Sequence, residues 1–262
     1  MTNSAEIDEI DLLVDRARIA QEKFEKNGSQ ALFDLACQAV GWALMEPEQN
    51  QRLAELAVRE TGLGNVSDKI KKNHNKTLGL LRDIKDVKSF GHVSKDKEMG
   101  LNTYLRPKGV VAAIVPSTNP LATPVNNIIN ALKCGNSIIV APSPKGARPL
   151  KELLLLIHKN LSMIGLDQDL VQMVPMPPSK GKTNRLMQLA DMLVVTGSQN
   201  NVKAGYSSGT PALGVGQGNV VTIIDETADT QAAAGKIVIS KTFDNATSCS
   251  SENSVIIIEE VY

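Results

Sequence analysis

Residues 109–146 read GVVAAIVPSTNPLATPVNNIINALKCGNSIIVAPSPKG. Two near-continuous apolar runs enclose a segment whose apolar residues Val125, Ile128, Ile129 and Leu132 recur at helical spacing. A strand that is apolar at every position must be covered on both faces. Such strands alternating with helices indicate a parallel sheet between helical layers. The pattern repeats downstream. LVQMVP at 170–175 follows the helical RPLKELLLLIHKNL of 148–161, and MLVVTGS at 192–198 follows TNRLMQLA at 183–190, before a short helix to Tyr206. NVVTIID at 219–225 and a helix from about Ala228 to Phe243 are expected to continue the sheet.

Upstream the texture differs. To about residue 88 the chain is helical in pattern, with Ile10, Leu13, Val14 and Ala17 on one face and breaks at KNGS, EPEQ and TGLGN. FGHVSKDKEMGLNTYLRP at 90–107 reads as two extended segments around a polar, Gly-containing turn, hence a hairpin. The predicted fold is α/β: a Rossmann-like parallel sheet with helices on both faces, preceded by a helical N-terminal layer and a β-hairpin. The expected division is 1–108 for helices and hairpin and 109–243 for the sheet domain, with 244–262 beyond it.

The 262 residues carry 28 Lys+Arg against 28 Asp+Glu and only 3% aromatics. Zero net charge and few stacking side chains argue against nucleic acid and an anionic membrane as partners. The acidic N-terminus lacks the basic start and apolar run of a signal peptide, and LLLLI at 153–157 is too short to span a bilayer. A cytoplasmic protein is expected. Three widely spaced cysteines without a C-x-x-C pair suggest neither a disulfide framework nor a zinc site, so no metal is expected. Cys37 and Cys134 lie on helical patterns and are expected in the core.

Ligands of parallel sheets lie beyond the carboxyl ends of the strands. Those ends, VPSTNP, VAPSPKG, VPMPPSKG and VTGSQN, are rich in small residues that let a cofactor approach the backbone. Ser198 can cap the next helix, which leaves free N–H groups for phosphate or serves as a plain N-cap. Two look-alikes fail. GVGQGN at 214–219 leads into a strand and not a helix. GKT at 181–183 lacks the glycine a P-loop needs at position 176, which is Met176. Cys249, in KTFDNATSCSSE, sits among small polar residues between a helix and the apolar SVIII. The local residues leave two readings open: a nucleophile, or a small residue in a polar turn.

The ordered set RPKGVVAAIVPSTNP, NSIIVAPSPKGARP, VVTGSQNNVKA, LGVGQGNV and TFDNATSCSSENS resembles the aldehyde dehydrogenase superfamily, and within it the CoA-acylating branch. AVRETGLGNVSDKIKKNH is similar to that branch too. The resemblance covers essentially the whole chain. It implies that Cys249 attacks the aldehyde carbon, that the thiohemiacetal yields hydride to a nicotinamide, and that an acyl-cysteine thioester results. The resemblance implies too that 109–243 binds a dinucleotide and that 244–262 starts a catalytic domain. It also implies a chain nearly twice as long, whose remainder supplies the rest of the aldehyde pocket and oligomer contacts.

The resemblance carries further expectations. Asn119 is the second oxyanion donor beside the Cys249 N–H, although Thr118 has the family spacing and Asn119 could instead cap a helix. Gly214 stands in place of the glutamate that activates water in hydrolytic relatives, so coenzyme A, a better nucleophile, resolves the thioester. Gly214 could also relieve crowding near the nicotinamide. The dinucleotide lies along Pro116, Ser117 and Thr118, along Ala141, Pro142, Ser143 and Pro144, at Gly197 and Ser198, and along Gly214, Val215 and Gly216. NAD is expected and NADP is the alternative, with Lys145 or Arg148 available to a 2′-phosphate. Partners are a short aldehyde (sulfoacetaldehyde among the candidates), coenzyme A and further copies of the chain. The competing classes are a non-catalytic nucleotide-binding or assembly module, and a hydrolytic dehydrogenase giving free acid.

Overall fold

The computed structural model describes residues 4–262. Four helices lead: α1 (Ser4–Lys26), α2 (Gln30–Met45), α3 (Pro47–Thr61) and α4 (Val66–Ile84). The sequence breaks between them are caps. Ser29 accepts from the Leu32 N–H at 3.2 Å, Pro47 opens α3 behind Glu46, and Asn65 accepts from the Asp68 N–H at 2.9 Å. The hairpin follows as β1 (Gly91–Asp96) and β2 (Leu101–Leu105), antiparallel as expected.

The central sheet is parallel and has five strands, β3 (Val110–Val115), β4 (Ser137–Pro142), β5 (Val171–Met173), β6 (Met192–Thr196) and β7 (Ala212–Val215), in the order β5-β4-β3-β6-β7. Connecting them are α5 (Ala122–Lys133), α6 (Ala147–Met163), α7 (Lys180–Leu189) and α8 (Gln199–Tyr206). Every residue of β3 and β4 is buried, which explains their unbroken apolar sequence. The pleat divides β3 between two cores. Val111, Ala113 and Val115 face the cluster that contains α2, α5 and α6, while Val110, Ala112 and Ile114 face α1 and α7. Each buried Val or Ile here stabilises the fold by about 1.5–3 kcal/mol. The N-terminal helices therefore clad both faces of the sheet. Ion pairs Arg18–Asp191 at 2.9 Å and Arg185–Asp11 at 2.7 Å fasten α1 to the second face.

One expectation is corrected. The strand at 219–225, β8 (Val220–Ile224), does not extend the five-stranded sheet. It pairs in parallel with β9 (Glu252–Ile257), joined through α9 (Thr230–Thr242), as a separate two-stranded sheet. The reason is chain length: β7, which the sequence reading passed over, holds the edge beside β6, and only residues 216–219 separate it from β8. A parallel neighbour needs a crossover of about a dozen residues or more. Among the described residues no helix is long and apolar enough to cross a membrane.

Candidate active site

From β3 the chain crosses to β4 on one side and later returns to β6 on the other. The carboxyl ends of β3 and β6 thus flank a topological switch point, where open α/β sheets bind ligands. A cavity of about 650 Å³ opens there. Pro116 and Ser117 from the end of β3, Ala141, Pro142, Ser143 and Pro144 from β4, and Gly197 and Ser198 from β6 all line it. Gly214, Val215 and Gly216 do not line it. They join it through Gly197, whose N–H donates to the Val215 carbonyl at 3.1 Å. Thr118 also lies outside the cavity lining.

A further wall comes from the first turns of α7 and α8, which the strand ends VPMPPSKG and VTGSQN reach only in part. Ser179, Lys180 and Thr183 line one side, and Asn200, Asn201 and Ala204 the other. Ser179 caps α7 through the Lys182 N–H at 3.1 Å, and Ser198 caps α8 through the Asn201 N–H at 3.3 Å. The serine ahead of the helical TNRLMQLA pattern was the available signal. Two positive helix ends consequently meet at one cavity. The P-loop look-alike is settled as structural: the Lys182 ammonium pairs with Glu9 at 2.7 Å and donates to the Pro175 carbonyl at 3.2 Å. Arg148 engages Glu60 at 3.0 Å, and neither it nor Lys145 lines the cavity, where Lys180 is a lining cation instead.

The three thiols differ sharply. Cys37 is buried, donates to the Ile129 carbonyl at 3.4 Å, and has its pKa pushed up to about 12 by burial. Burial also raises the half-buried Cys134. Cys249 alone is exposed. It occupies the loop between a 3₁₀ turn, Phe243–Ala246, and β9, and its carbonyl lies against the backbone of Gly218, with a Cβ built on Gly218 falling 2.1 Å from that oxygen. Asn119 is half-buried in the β3–α5 loop and does not cap α5. The N-cap is Leu121, without a side-chain hydrogen bond, so the capping alternative falls. A side chain at Gly214 would meet Val202 at 2.7 Å and Tyr206 at 2.8 Å, both on α8. The crowding anticipated at this position is real, but its source is α8.

The element least visible in the sequence links these loops. Lys69 and Lys72 lie three residues apart on α4 and are 2% and 4% exposed. Both reach Asp244, which is fully buried in the turn leading to Cys249. The Asp244 carboxylate accepts from Lys69 Nζ at 3.0 and 3.2 Å, from Lys72 Nζ, from the Asn65 N–H at 3.2 Å and from the Thr247 hydroxyl at 2.8 Å. Burial alone would raise its pKa, but the Lys72 and Lys69 ammoniums and the Thr247 hydroxyl outweigh that and hold it below the ordinary value. Lys69 Nζ also donates to the Thr118 carbonyl at 3.4 Å. The turn is strained, with φ of 52°, 53° and 59° at Asp244, Asn245 and Ala246, each costing about 1–3 kcal/mol. Surrounding bonds impose it: Asp68 accepts from the Asp244 N–H at 2.9 Å, and Asn245 donates to the Gly64 carbonyl at 3.1 Å. Gly64 admits this approach because a Cβ there would stand 1.9 Å from Asp244 Oδ1.

A five-stranded parallel sheet with a cleft at its switch point and helices on both faces defines a Rossmann-like α/β fold, with an exposed thiol on an adjoining braced loop. Residues 2–262 match the aldehyde dehydrogenase family, and the chain belongs to it. It is 57% identical over 250 residues to the sulfoacetaldehyde dehydrogenase (acylating) of Cupriavidus necator, covering 95% of this chain and 50% of that protein. The crystal structure of an acetylating aldehyde dehydrogenase from Geobacillus thermoglucosidasius superposes with a TM-score of 0.91 at 36% identity, over 97% of this chain and 56% of that one. A propionaldehyde dehydrogenase from Rhodopseudomonas palustris, solved with bound CoA and an acylated cysteine, superposes at 0.83 with 32% identity, over 95% and 56% of the two chains. The chain spans about half the length of the curated relatives it matches.

Proposed function

We propose that this chain carries the dinucleotide cleft and the nucleophile of a CoA-acylating aldehyde dehydrogenase, with sulfoacetaldehyde as the substrate. The observation that carries the reading is an exposed thiol, Cys249, with no carboxylate anywhere in residues 211–219, where the family's water-activating glutamate belongs. The Cβ direction of Gly214 itself points at α8 and not into the cavity. The 57% identity to an acylating sulfoacetaldehyde dehydrogenase supports the substrate.

In this reading the Cys249 thiolate adds to the aldehyde carbon, and its own N–H together with the Asn119 amide meets the oxyanion. When bound, the nicotinamide dinucleotide accepts the hydride that leaves the thiohemiacetal carbon. The acyl group then stays on Cys249 as a thioester until CoA, having given its thiol proton to solvent, displaces it as the thiolate, which restores the Cys249 thiolate. The cavity fits such a cofactor by its volume, its place at the switch point and its two helix N-termini. NAD is the proposed dinucleotide and NADP the alternative, with Lys180, a cation of the cavity lining, as the proposed partner of a 2′-phosphate. We further propose a cytoplasmic homo-oligomer, and a division into residues 1–108, a dinucleotide-binding unit from 109, and a catalytic unit to which β8 and α9 are tied through β9.

The test supplies sulfoacetaldehyde and a panel of short aldehydes to the intact protein with NAD or NADP, with and without CoA. Nicotinamide reduction and acyl-CoA formation are followed together. CoA-dependent acyl-CoA production is the expected result. Free acid formed at the same rate without CoA would return the enzyme to the hydrolytic class.

A further inference from the structure

We propose that Lys69 is a positioning residue for acyl transfer: it fixes the loop that carries Cys249 relative to the loop that carries Asn119. The inference rests on the reading of Cys249 as nucleophile. Lys69 bonds two separate pieces of the site at once. Its ammonium holds Asp244, five positions before Cys249 (249 − 244), at 3.0 Å, and the carbonyl of Thr118, the residue before Asn119, at 3.4 Å. Lys72 shares the first partner, and no bond from it to the β3–α5 loop is present among the described residues.

Stability alone is a poor account of this arrangement. Two ammoniums and one carboxylate are withdrawn from water, and buried ion pairs of this kind are often no more stabilising than apolar residues of similar volume. What apolar residues cannot do is hold a strained left-handed turn in one place by directional bonds. The turn is fixed by α4 and the Asn65 N–H on one side and by Thr247 on the other. Lys69 extends that fixed point to the end of β3. Because Cys249 must attack a carbonyl whose oxygen is met by groups on both loops, their separation sets the geometry of the tetrahedral step.

The two lysines provide the test. Both neutralise Asp244, so a purely structural role predicts equal damage from Lys69→Met and Lys72→Met. In the intact enzyme, Lys69→Met is expected to lower kcat about 100-fold while aldehyde KM and dinucleotide Kd stay within about 3-fold. Lys72→Met, at a matched loss of Tm, should lower kcat by less than about 10-fold. If the methionine variants do not fold, Lys69→Gln and Lys72→Gln, which keep a neutral donor, are compared in the same way. Equal losses of kcat from the two positions would overturn the proposal, as would a Lys69 effect confined to KM or Kd. Cys249→Ala is run alongside. Retained turnover there would remove the nucleophile reading itself, whereas abolished turnover with equal lysine effects would remove only the positioning role.

Discussion

The backbone of Gly218 lies directly against the carbonyl of Cys249, so close that a methyl at 218 would fall 2.1 Å from that oxygen. Gly218, inside the look-alike GVGQGN, is therefore a spacer for the thiol loop. The contact is backbone to backbone, and no flexible side chain can yield. Gly218→Ala should displace the Cys249 loop, cutting turnover about 100-fold in the intact enzyme. Dinucleotide affinity should change little, because Gly218 does not line the cavity. Stopped-flow turnover and calorimetry on the same preparation would check this, and unchanged turnover would show that the loop is not seated there during catalysis.

Thiol chemistry should follow exposure. Iodoacetamide at neutral pH should label Cys249 well before Cys134, and Cys37 only on unfolding, since burial has pushed the Cys37 thiol up to about 12. Peptide mapping by mass spectrometry reads the order. Cys249→Ala should abolish aldehyde oxidation without loss of Tm, whereas Cys37→Ala should cost about 1 kcal/mol of stability and spare the chemistry.

Acid should release the thiol loop. The carboxyls of Asp68 and Asp244 both lie below their ordinary value in the folded protein. Asp68 is lowered chiefly by the Asn65 amide and the Asp244 N–H, and Asp244 by the ammoniums and hydroxyl that outweigh its burial. A depressed folded pKa means the unfolded chain binds more protons, so stability rises with pH through this window. The contribution is complete above the unfolded carboxylate value of about 3.9 and is lost as pH falls through the lower folded values. Cys249 labelling rates should therefore climb on acidification before global unfolding, once corrected for thiolate fraction. Asp244→Asn should abolish that step.

Residues 1–262 prepared alone should bind dinucleotide yet self-associate. The cleft and both cores of the sheet lie within them, but the β8–β9 sheet and α9 present Ile223 (70% exposed), Ile239 (73%) and Ile256 (54%) to solvent. Apolar surface of that kind drives association. Analytical ultracentrifugation should show concentration-dependent oligomers that Ile223→Lys and Ile239→Lys reduce while dinucleotide affinity is retained. A strictly monomeric chain would contradict the expectation.

How far the sequence could be read follows from what each residue answers to. The apolar runs of β3 and β4 were legible because burial on both faces leaves no choice of residue. β7 was not, since Ala212–Val215 is four residues with a glycine demanded by α8. β8 is legible as a strand, but its neighbour β9 is not, because periodicity reports a face and not a partner. The strand-end residues of the cleft were legible from the rule that ligands lie at carboxyl ends. Lys69 and Lys72 were not: lysines three apart on a helix read as a solvated face until a carboxylate distant in sequence is folded against them.

That distance has a consequence for synthesis. Lys69 and Asp244 are separated by 175 positions. At ribosomal rates of about 5–20 residues per second, α4 emerges on the order of ten to thirty seconds before its counter-charge exists. Until then its two ammoniums have water as their partner, and α4 cannot seat fully against the nascent sheet without stranding charge in an apolar setting. The turn at Asp244 therefore closes a layer that α4 began 175 positions earlier. Any nascent or truncated form that stops short of Asp244 is expected to keep α4 loosely docked and open to chaperones and proteases.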